Sequence, residues 1–558
     1  MIQGTMSGAG KSILTAGILR VLRQDGYRVA PFKSQNMALN SYVTREGLEM
    51  GRAQVVQAAA AGMEPSADMN PILLKPMGDT TSQVIVNGRP IGKMRAADYY
   101  KVKKSLVPDI LAAYERLRER ADIIVIEGAG SPVEINLREG DFVNMGLAEM
   151  VDAPVLLAGN IDPGGSFAQL LGTIQLLRPE ERARVKGLII NKFRGDVSLL
   201  QPGLDMFAEY CDIPFAGVVP WIRLDLDEED SMSEKLAGRG AGAGADTSVD
   251  IAVIRLPYIS NYTDFAPLER LPGVTVRYVA EASLLGQPDL IILPGTKNSI
   301  GDLRWLRESG MEARIRDAAG RSLLIGICGG FQMLGRRILD PLGSETGGTE
   351  DGLGLLPVET LFSADKYTRQ VHGTARQLPG VWAPLSGLPV SGYEIHMGRT
   401  EYPGDRDKGT SVFAQLTDGG PDVAVTPVGE TPDVAVTPAE ETPDGAVTPA
   451  EETPDGAVCG NVLGTYLHGI FDETPFRSAL IDLLRKRKEG SCPEAEAFHT
   501  LTGCDTDLSG VECTLSRRES ALSGLESARQ IQDRQLDMLA DVLRKSLDWE
   551  LIYRAIGI

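Results

Sequence analysis

Nowhere in the 558 residues do about 18 apolar side chains run together, and the opening MIQGTMSGAGKS lacks the basic start and apolar stretch of a secretory signal. The sequence therefore predicts neither a membrane-spanning nor a secreted protein. Basic charge is in deficit: 56 Lys and Arg stand against 76 Asp and Glu, a net charge of −20. Such a field repels nucleic-acid phosphates and anionic lipid at long range, so neither is an expected partner. An anionic substrate must then be held by local groups such as backbone amides, a lysine or Mg2+. Cysteine is sparse, and the six present (Cys211, Cys328, Cys459, Cys492, Cys504, Cys513) form no C-x-x-C pair. That argues against a standard zinc or redox knuckle and for a reducing, cytoplasmic setting. Histidine is scarcer still, at four.

Apolar residues, by contrast, make up 43% of the chain, enough to fill full cores. Short apolar runs at Ile123–Ile126, Val155–Ala158 and Leu188–Ile190 alternate with amphipathic stretches such as Ile110–Arg120. Buried parallel strands wrapped by helices have this pattern, so residues 1–234 read as a doubly wound α/β domain. The segment AGRGAGAGAD marks a linker at 235–250. Strand patterns restart at Ile251–Leu256, Val274–Val279, Leu290–Leu293 and Leu323–Ile327, predicting a second α/β domain over 251–490. Within it, residues 421–458 repeat every 11 residues as PDVAVTPVGET, PDVAVTPAEET, PDGAVTPAEET and PDGAV. Recurring prolines and few apolar residues predict a disordered or loosely extended insertion. Residues 491–529 form a second variable stretch, where Cys492, Cys504, Cys513 and His499 fit no standard zinc spacing. In 530–558 the spacing of Leu536, Leu539, Leu543 and Leu547 predicts helix lying on a domain surface.

Two motifs carry chemistry. In GTMSGAGKS, Gly10, Lys11 and Ser12 open a helix. Glycines let backbone N–H groups close around phosphates, Lys11 reaches the terminal phosphates, and Ser12 can ligate Mg2+. Gly4 lies one residue before the usual first glycine position, which is Thr5. The strand IIVIEGAGSP ends in Glu127 at the carboxyl edge, where it can hold Mg2+ directly or through water. In FKSQNMALNS, Lys33, Gln35, Asn36 and Asn40 supply a cation and three amides for an anionic, amide-rich substrate.

The second motif, LLIGICGGFQMLG, has strand–elbow–helix form around Cys328. Small neighbours permit the strained turn that exposes a nucleophile, and the helix N-terminus favours its thiolate. The proton shuttle is best placed at His468 in GTYLHGIFD, with His396 in GYEIHMGRT second and His372 and His499 weaker. Oxyanion donors are the Gly329 N–H and one from the loop around Gly295 and Thr296.

With GTMSGAGKS, FKSQNMALNS, DMNPILLKP, IEGAGSP, INKFRGD, RLPYISNYTDF, PGTKNSIGDLRWL, GICGGFQMLG, GYEIHMGRT and GTYLHGIFD in one order, nearly the whole chain resembles the glutamine-dependent cobyric acid synthases. The resemblance implies an N-terminal P-loop domain similar to dethiobiotin synthetase and a C-terminal class I glutamine amidotransferase-like domain. It implies ATP with Mg2+ as phosphoryl donor, glutamine as ammonia source and a corrinoid as substrate, four of whose carboxylates are amidated. It makes Cys328 the nucleophile, His468 the base, Lys11 and Ser12 the phosphate and Mg2+ ligands with Glu127 assisting, and Asn191 a contact to adenine. Two positions depart from the pattern: Ile470 stands where many such enzymes carry Glu, and Pro163 where Arg is expected. His468 is then oriented by another acid, with Asp472 a weak candidate, or works as a Cys–His dyad. The alternatives are the related a,c-diamide synthase, a partitioning-type ATPase switch, which has no use for Cys328 and His468, and a catalytically dead binding module.

Overall fold

The computed structural model describes residues 1–77, 80–224, 226, 248–402, 410–418, 452–490 and 528–558. They form two compact units: Met1–Thr44, Leu48–Ala237 and Arg529–Ile558 in one, Arg45–Gly47 and Gly238–Ala528 in the other.

In the first unit, Val29–Phe32 pairs with Ile123–Ile126, and Ile2–Gly4, Val155–Asn160, Val185–Phe193 and Phe215–Pro220 follow in order, all parallel. An isolated parallel bridge between Ile2 and Glu127 joins the two sheets. Chain order reverses around Ile2–Gly4, so the loop leaving this strand opens at the switch point, where doubly wound sheets bind ligands. These strands are buried on both faces, which is why they read as continuous apolar runs. A smaller sheet of Gln35–Met37, Ile72–Pro76, Thr81–Val86 and Arg89–Arg95, which the apolar pattern did not reveal, stands beside it. It carries a fully buried Lys75–Glu49 ion pair, to which Ser41 adds a hydrogen bond to Lys75.

The C-terminal segment does more than cover a surface. Leu536, Leu539, Ala540 and Leu543 are fully buried in one core with Leu14 and Leu19 of the first helix, Lys11–Gln24. Gly17 makes the approach possible: a Cβ there would lie 2.3 Å from Leu543 Cδ1.

The second unit holds a sheet in the order Val274–Val279, Val249–Ile254, Leu290–Leu293, Leu323–Ile327, Val462–Thr465, Ala457–Cys459, Thr410–Ser411, its first five strands parallel. The strand beginning at Val249 corrects the linker boundary: Val249 pairs with Val274 and is fully buried, so 249 and 250 belong to the domain. A second sheet is built on the long hairpin Glu359–Ala375 and Pro389–Glu401.

The repeat insertion also needs correction at its end. Thr453–Asp455 pairs antiparallel with Ala414–Asp418, and Ala457–Cys459 pairs with Val462–Thr465, so the last PDGAV is ordered sheet. Composition could not show this, because strand pairing depends on which segments lie alongside in the fold, and the partners Ala414–Asp418 and Val462–Thr465 belong to the surrounding domain. Residues 419–451 lie outside the described set, as do 227–247 and 491–527 with Cys492, His499, Cys504 and Cys513. Among the described residues no helix is long and apolar enough to cross a membrane.

Candidate active sites in the two units

Strand Leu323–Ile327 delivers Cys328 to a sharp turn with φ 50° and ψ −108°, and helix Gly329–Leu334 starts at the next residue. A non-glycine residue in this region is strained, and such strain collects at functional sites. The turn depends on its glycines. A Cβ on Gly330 would lie 1.9 Å from the Leu293 carbonyl oxygen, and one on Gly326 2.5 Å from Leu334 Cδ1.

His468 follows strand Val462–Thr465 and is locked by reciprocal backbone bonds with Tyr393, at 2.9 and 3.1 Å. Its ring stacks on that of Tyr393 with centroids 5.3 Å apart. Asp264 Oδ2 lies 2.7 Å from His468 Nδ1, with both side chains almost wholly buried. An ionised carboxylate only accepts, so Nδ1 carries the hydrogen toward Asp264 and Nε2 is the ring nitrogen left for other chemistry, while the Cys328 side chain makes a long contact of 3.7 Å to the Ile395 carbonyl oxygen. Burial pushes the imidazole's pKa down, but the Asp264 carboxylate and Cys328 outweigh it, leaving the ring pushed up to about 9. The structure thus groups Cys328, His468 and Asp264.

Sequence reasoning missed Asp264. The weak candidate Asp472 is exposed, and Ile470 is buried in the core. Asp264 sits on the short turn Tyr262–Phe265, entered through Asn261 in a left-handed conformation, 204 residues from His468. No local spacing reports such a pairing; only its place in RLPYISNYTDF drew notice. The second candidate, His396, is held otherwise: its Nδ1 lies 2.8 Å from the Gly398 carbonyl, its ring stacks 3.7 Å from that of Tyr466, and burial pushes its pKa down.

Gly295 and Thr296 lie against this group. A Cβ on Gly295 would fall 2.9 Å from His468 Cε1, and one on Gly329 3.1 Å from the Thr296 nitrogen. Gly329 is the first residue of its helix, where N–H groups lack intrahelical partners. The geometry suits donors converging on a developing oxyanion.

In the first unit, Gly8 and Gly10 take positive φ, and Gly10 caps the helix that starts at Lys11. The displaced glycine has a reason: a Cβ on Gly4 would lie 2.8 Å from Ala9 Cβ, where the loop folds over its own strand. Lys11 Nζ reaches the carbonyls of Met6 and Gly130 at 3.0 and 3.3 Å. Glu127 is buried and gathers Ser12 Oγ at 2.8 Å, Lys33 Nζ at 2.9 Å and Gln57 Nε2 at 2.5 Å. Burial pushes its carboxyl up, yet the Lys33 ammonium and the bonds from Gln57 and Ser12 hold it below the ordinary range. The hydroxyl of Ser12 and the carboxylate of Glu127 are hard oxygen donors side by side, the kind of set that Mg2+ shares with phosphates and water.

A cavity of about 520 Å3 opens beside this loop, lined by Thr5, Met6 and Ser7 and by Gly130. Of the residues expected to meet substrate, only Gln35 lines it; its Oε1 accepts from Tyr99 at 2.5 Å. Lys33 is paired with Glu127, Asn36 donates to Gln54 at 2.9 Å, and Asn40 is buried. Asn191, expected at adenine, braces the phosphate loop by donating to the Ala9 carbonyl at 2.9 Å.

Comparison with known proteins agrees with both halves. Residues 1–232 match the CobQ/CobB/MinD/ParA nucleotide binding domain and residues 250–426 the CobB/CobQ-like glutamine amidotransferase domain. The cobyric acid synthase of Lachnoclostridium phytofermentans is 49% identical over 561 residues, covering 99% of this chain and 98% of that protein. The cobyric acid synthase of Ruminiclostridium cellulolyticum is 47% identical over 559 residues, covering 100% of this chain and 96% of that protein. A solved glutamine amidotransferase covers 42% of this chain and 98% of its own at 18% identity, with a TM-score of 0.26, too faint a likeness to argue from. With near-full-length identity to these relatives and a match in each half, the chain belongs to the cobyric acid synthase family.

Proposed function

We propose that the chain amidates four side-chain carboxylates (b, d, e and g) of adenosylcobyrinic acid a,c-diamide, using ATP and glutamine, to give adenosylcobyric acid. The observation that supports this most is that one polypeptide holds both a Cys328–His468–Asp264 group and a phosphate loop beside a large cavity.

In the glutaminase half, the Cys328 sulfur attacks the carboxamide carbon of glutamine. The oxyanion is met by the N–H groups of Gly329 and of the Gly295–Thr296 loop. His468 Nε2 holds the proton and passes it to the departing ammonia, while Asp264 keeps the ring in the required tautomer. Water then releases glutamate from the thioester.

In the synthetase half, backbone amides of the loop and Lys11 hold the ATP phosphates. The substrate carboxylate takes the terminal phosphoryl group, and ammonia displaces phosphate to leave the amide. Ser12 and Glu127 would hold Mg2+, which neutralises charge on the transferring group. Free ammonia is mostly protonated near neutral pH, so producing it on the same chain raises its effective concentration at the acyl phosphate.

The test is mass spectrometry of adenosylcobyrinic acid a,c-diamide incubated with enzyme, glutamine and Mg·ATP. Each amidation lowers the mass by about one unit, and four steps are expected. No change with this substrate, but two steps on the fully carboxylic precursor, would favour the a,c-diamide synthase reading instead.

A further inference from the structure

Resting on the corrinoid-amidating reading above, we infer that Lys103, within an apolar shelf, is the seat that receives the substrate carboxylate about to be activated. The cavity beside the phosphate loop is walled largely by Met37, Leu74, Val84, Met94, Tyr99 and Phe142. Its mouth is apolar too: Met37 is 57% exposed and Tyr100 47%. Exposed apolar surface gathered around an opening marks a binding face, and a broad, flat macrocycle is a ligand of the right chemistry to cover it.

Within this lining Lys103 is unusual. Its ammonium lies 4.8 Å from the centre of the Tyr100 ring and 5.8 Å from that of Phe142, and makes no hydrogen bond or ion pair among the described residues. Its neighbour Lys104 is paired with Glu139 at 2.7 Å on the surface. The nearby acid does not serve Lys103 by direct bonding. Asp141 accepts from the backbone N–H groups of Val143, Asn144 and Gly146 at 2.8, 3.0 and 2.9 Å, which ties down its own loop. Partial burial, helped by the neighbouring Lys104 charge, pushes the Lys103 pKa down by more than Asp141 and Glu139 at a distance push it up. A carboxylate would supply counter-charge, and the rings below would hold the cation in place. Gln35 adds a second donor: its carbonyl is taken by Tyr99, so its NH2 group remains to meet an anion.

A seat made of one cation, one amide and apolar walls fixes a carboxylate without reading the rest of the ring in polar detail. Such a site can take several carboxylates of one macrocycle in succession, as the ligand leaves and re-seats. Lys103 should therefore matter at every amidation step alike.

The experiment compares wild type with Lys103→Met and Lys103→Arg. Corrinoid binding is read from quenching of protein fluorescence, and KM from product masses at each step. Lys103→Met should raise Kd and KM for the tetracarboxylate about tenfold or more at every step. Lys103→Arg should recover most of the loss. An unchanged Kd for ATP shows that the variant unit is folded. The tetramethyl ester of the substrate should bind Lys103→Met and wild type equally well. Equal KM for the acid in wild type and Lys103→Met, or loss at one amidation step only, overturns the assignment. Absence of any corrinoid binding by the wild type overturns the functional reading itself, and the seat with it.

Discussion

The Asp264 carboxylate and His468 Nδ1 lie 2.7 Å apart inside the second unit, although 204 residues separate them along the chain. This contact places an acid against His468 where the local motif offers none, since Ile470 is buried and Asp472 is exposed. Asp264→Asn should lower glutaminase kcat/KM by about 10²–10⁴-fold through loss of tautomer control. Amidation driven by added ammonium should persist. The ring titration, followed by NMR, should fall from about 9 toward or below the ordinary 6.5. An unmoved titration would rule out this role for Asp264.

Cys328→Ala should abolish glutamine hydrolysis and leave ammonia-dependent amidation intact, because the proposed function puts carboxylate activation at the phosphate loop, and Lys11 and Cys328 belong to different units. Product masses with glutamine and with ammonium salt separate the two activities. If the variant still releases glutamate from glutamine, the nucleophile lies elsewhere.

The Asp264–His468 pair should also shape stability against pH. The folded imidazole titrates at about 9, above its unfolded 6.5, so its stabilisation is fully present below 6.5 and is lost as pH rises through 9. Urea midpoints for wild type should therefore fall over this window more steeply than those of His468→Asn.

Glu127→Gln should remove ATP-dependent amidation while sparing glutamine hydrolysis. It leaves the Lys33 ammonium buried without its charge partner, which costs about 3–5 kcal/mol of stability in the first unit. The Glu127 pKa is depressed below 4.5, so the carboxylate's contribution is present above that pH and fades as pH falls through its folded value. Equal acid sensitivity of wild type and variant in urea unfolding would contradict this.

Leu543→Ala should destabilise the first unit by about 2–5 kcal/mol, the usual cost of emptying a fully buried leucine site. A merely surface-lying helix would lose far less. Chemical denaturation followed through an ATP-binding signal makes the distinction.

The sequence by itself determined the elements whose signal is local. Buried parallel strands are continuous apolar runs, so Ile123–Ile126 and Leu290–Leu293 were visible with their bounds. The phosphate loop and the cysteine elbow were visible because each needs small residues at fixed offsets around Lys11 and Cys328. Only the tertiary structure decided the rest. It brought Asp264 to His468, returned Leu539 and Leu543 to Gly17, and gave the last repeat a partner strand. It also showed the internal partners of Lys33, Asn36 and Asn191, which are Glu127, Gln54 and the Ala9 carbonyl. The physical reason is common to all of these. A side chain's role depends on what lies within about 3–4 Å of it, and for these residues that neighbour is distant in the chain, where no periodicity or spacing can announce it.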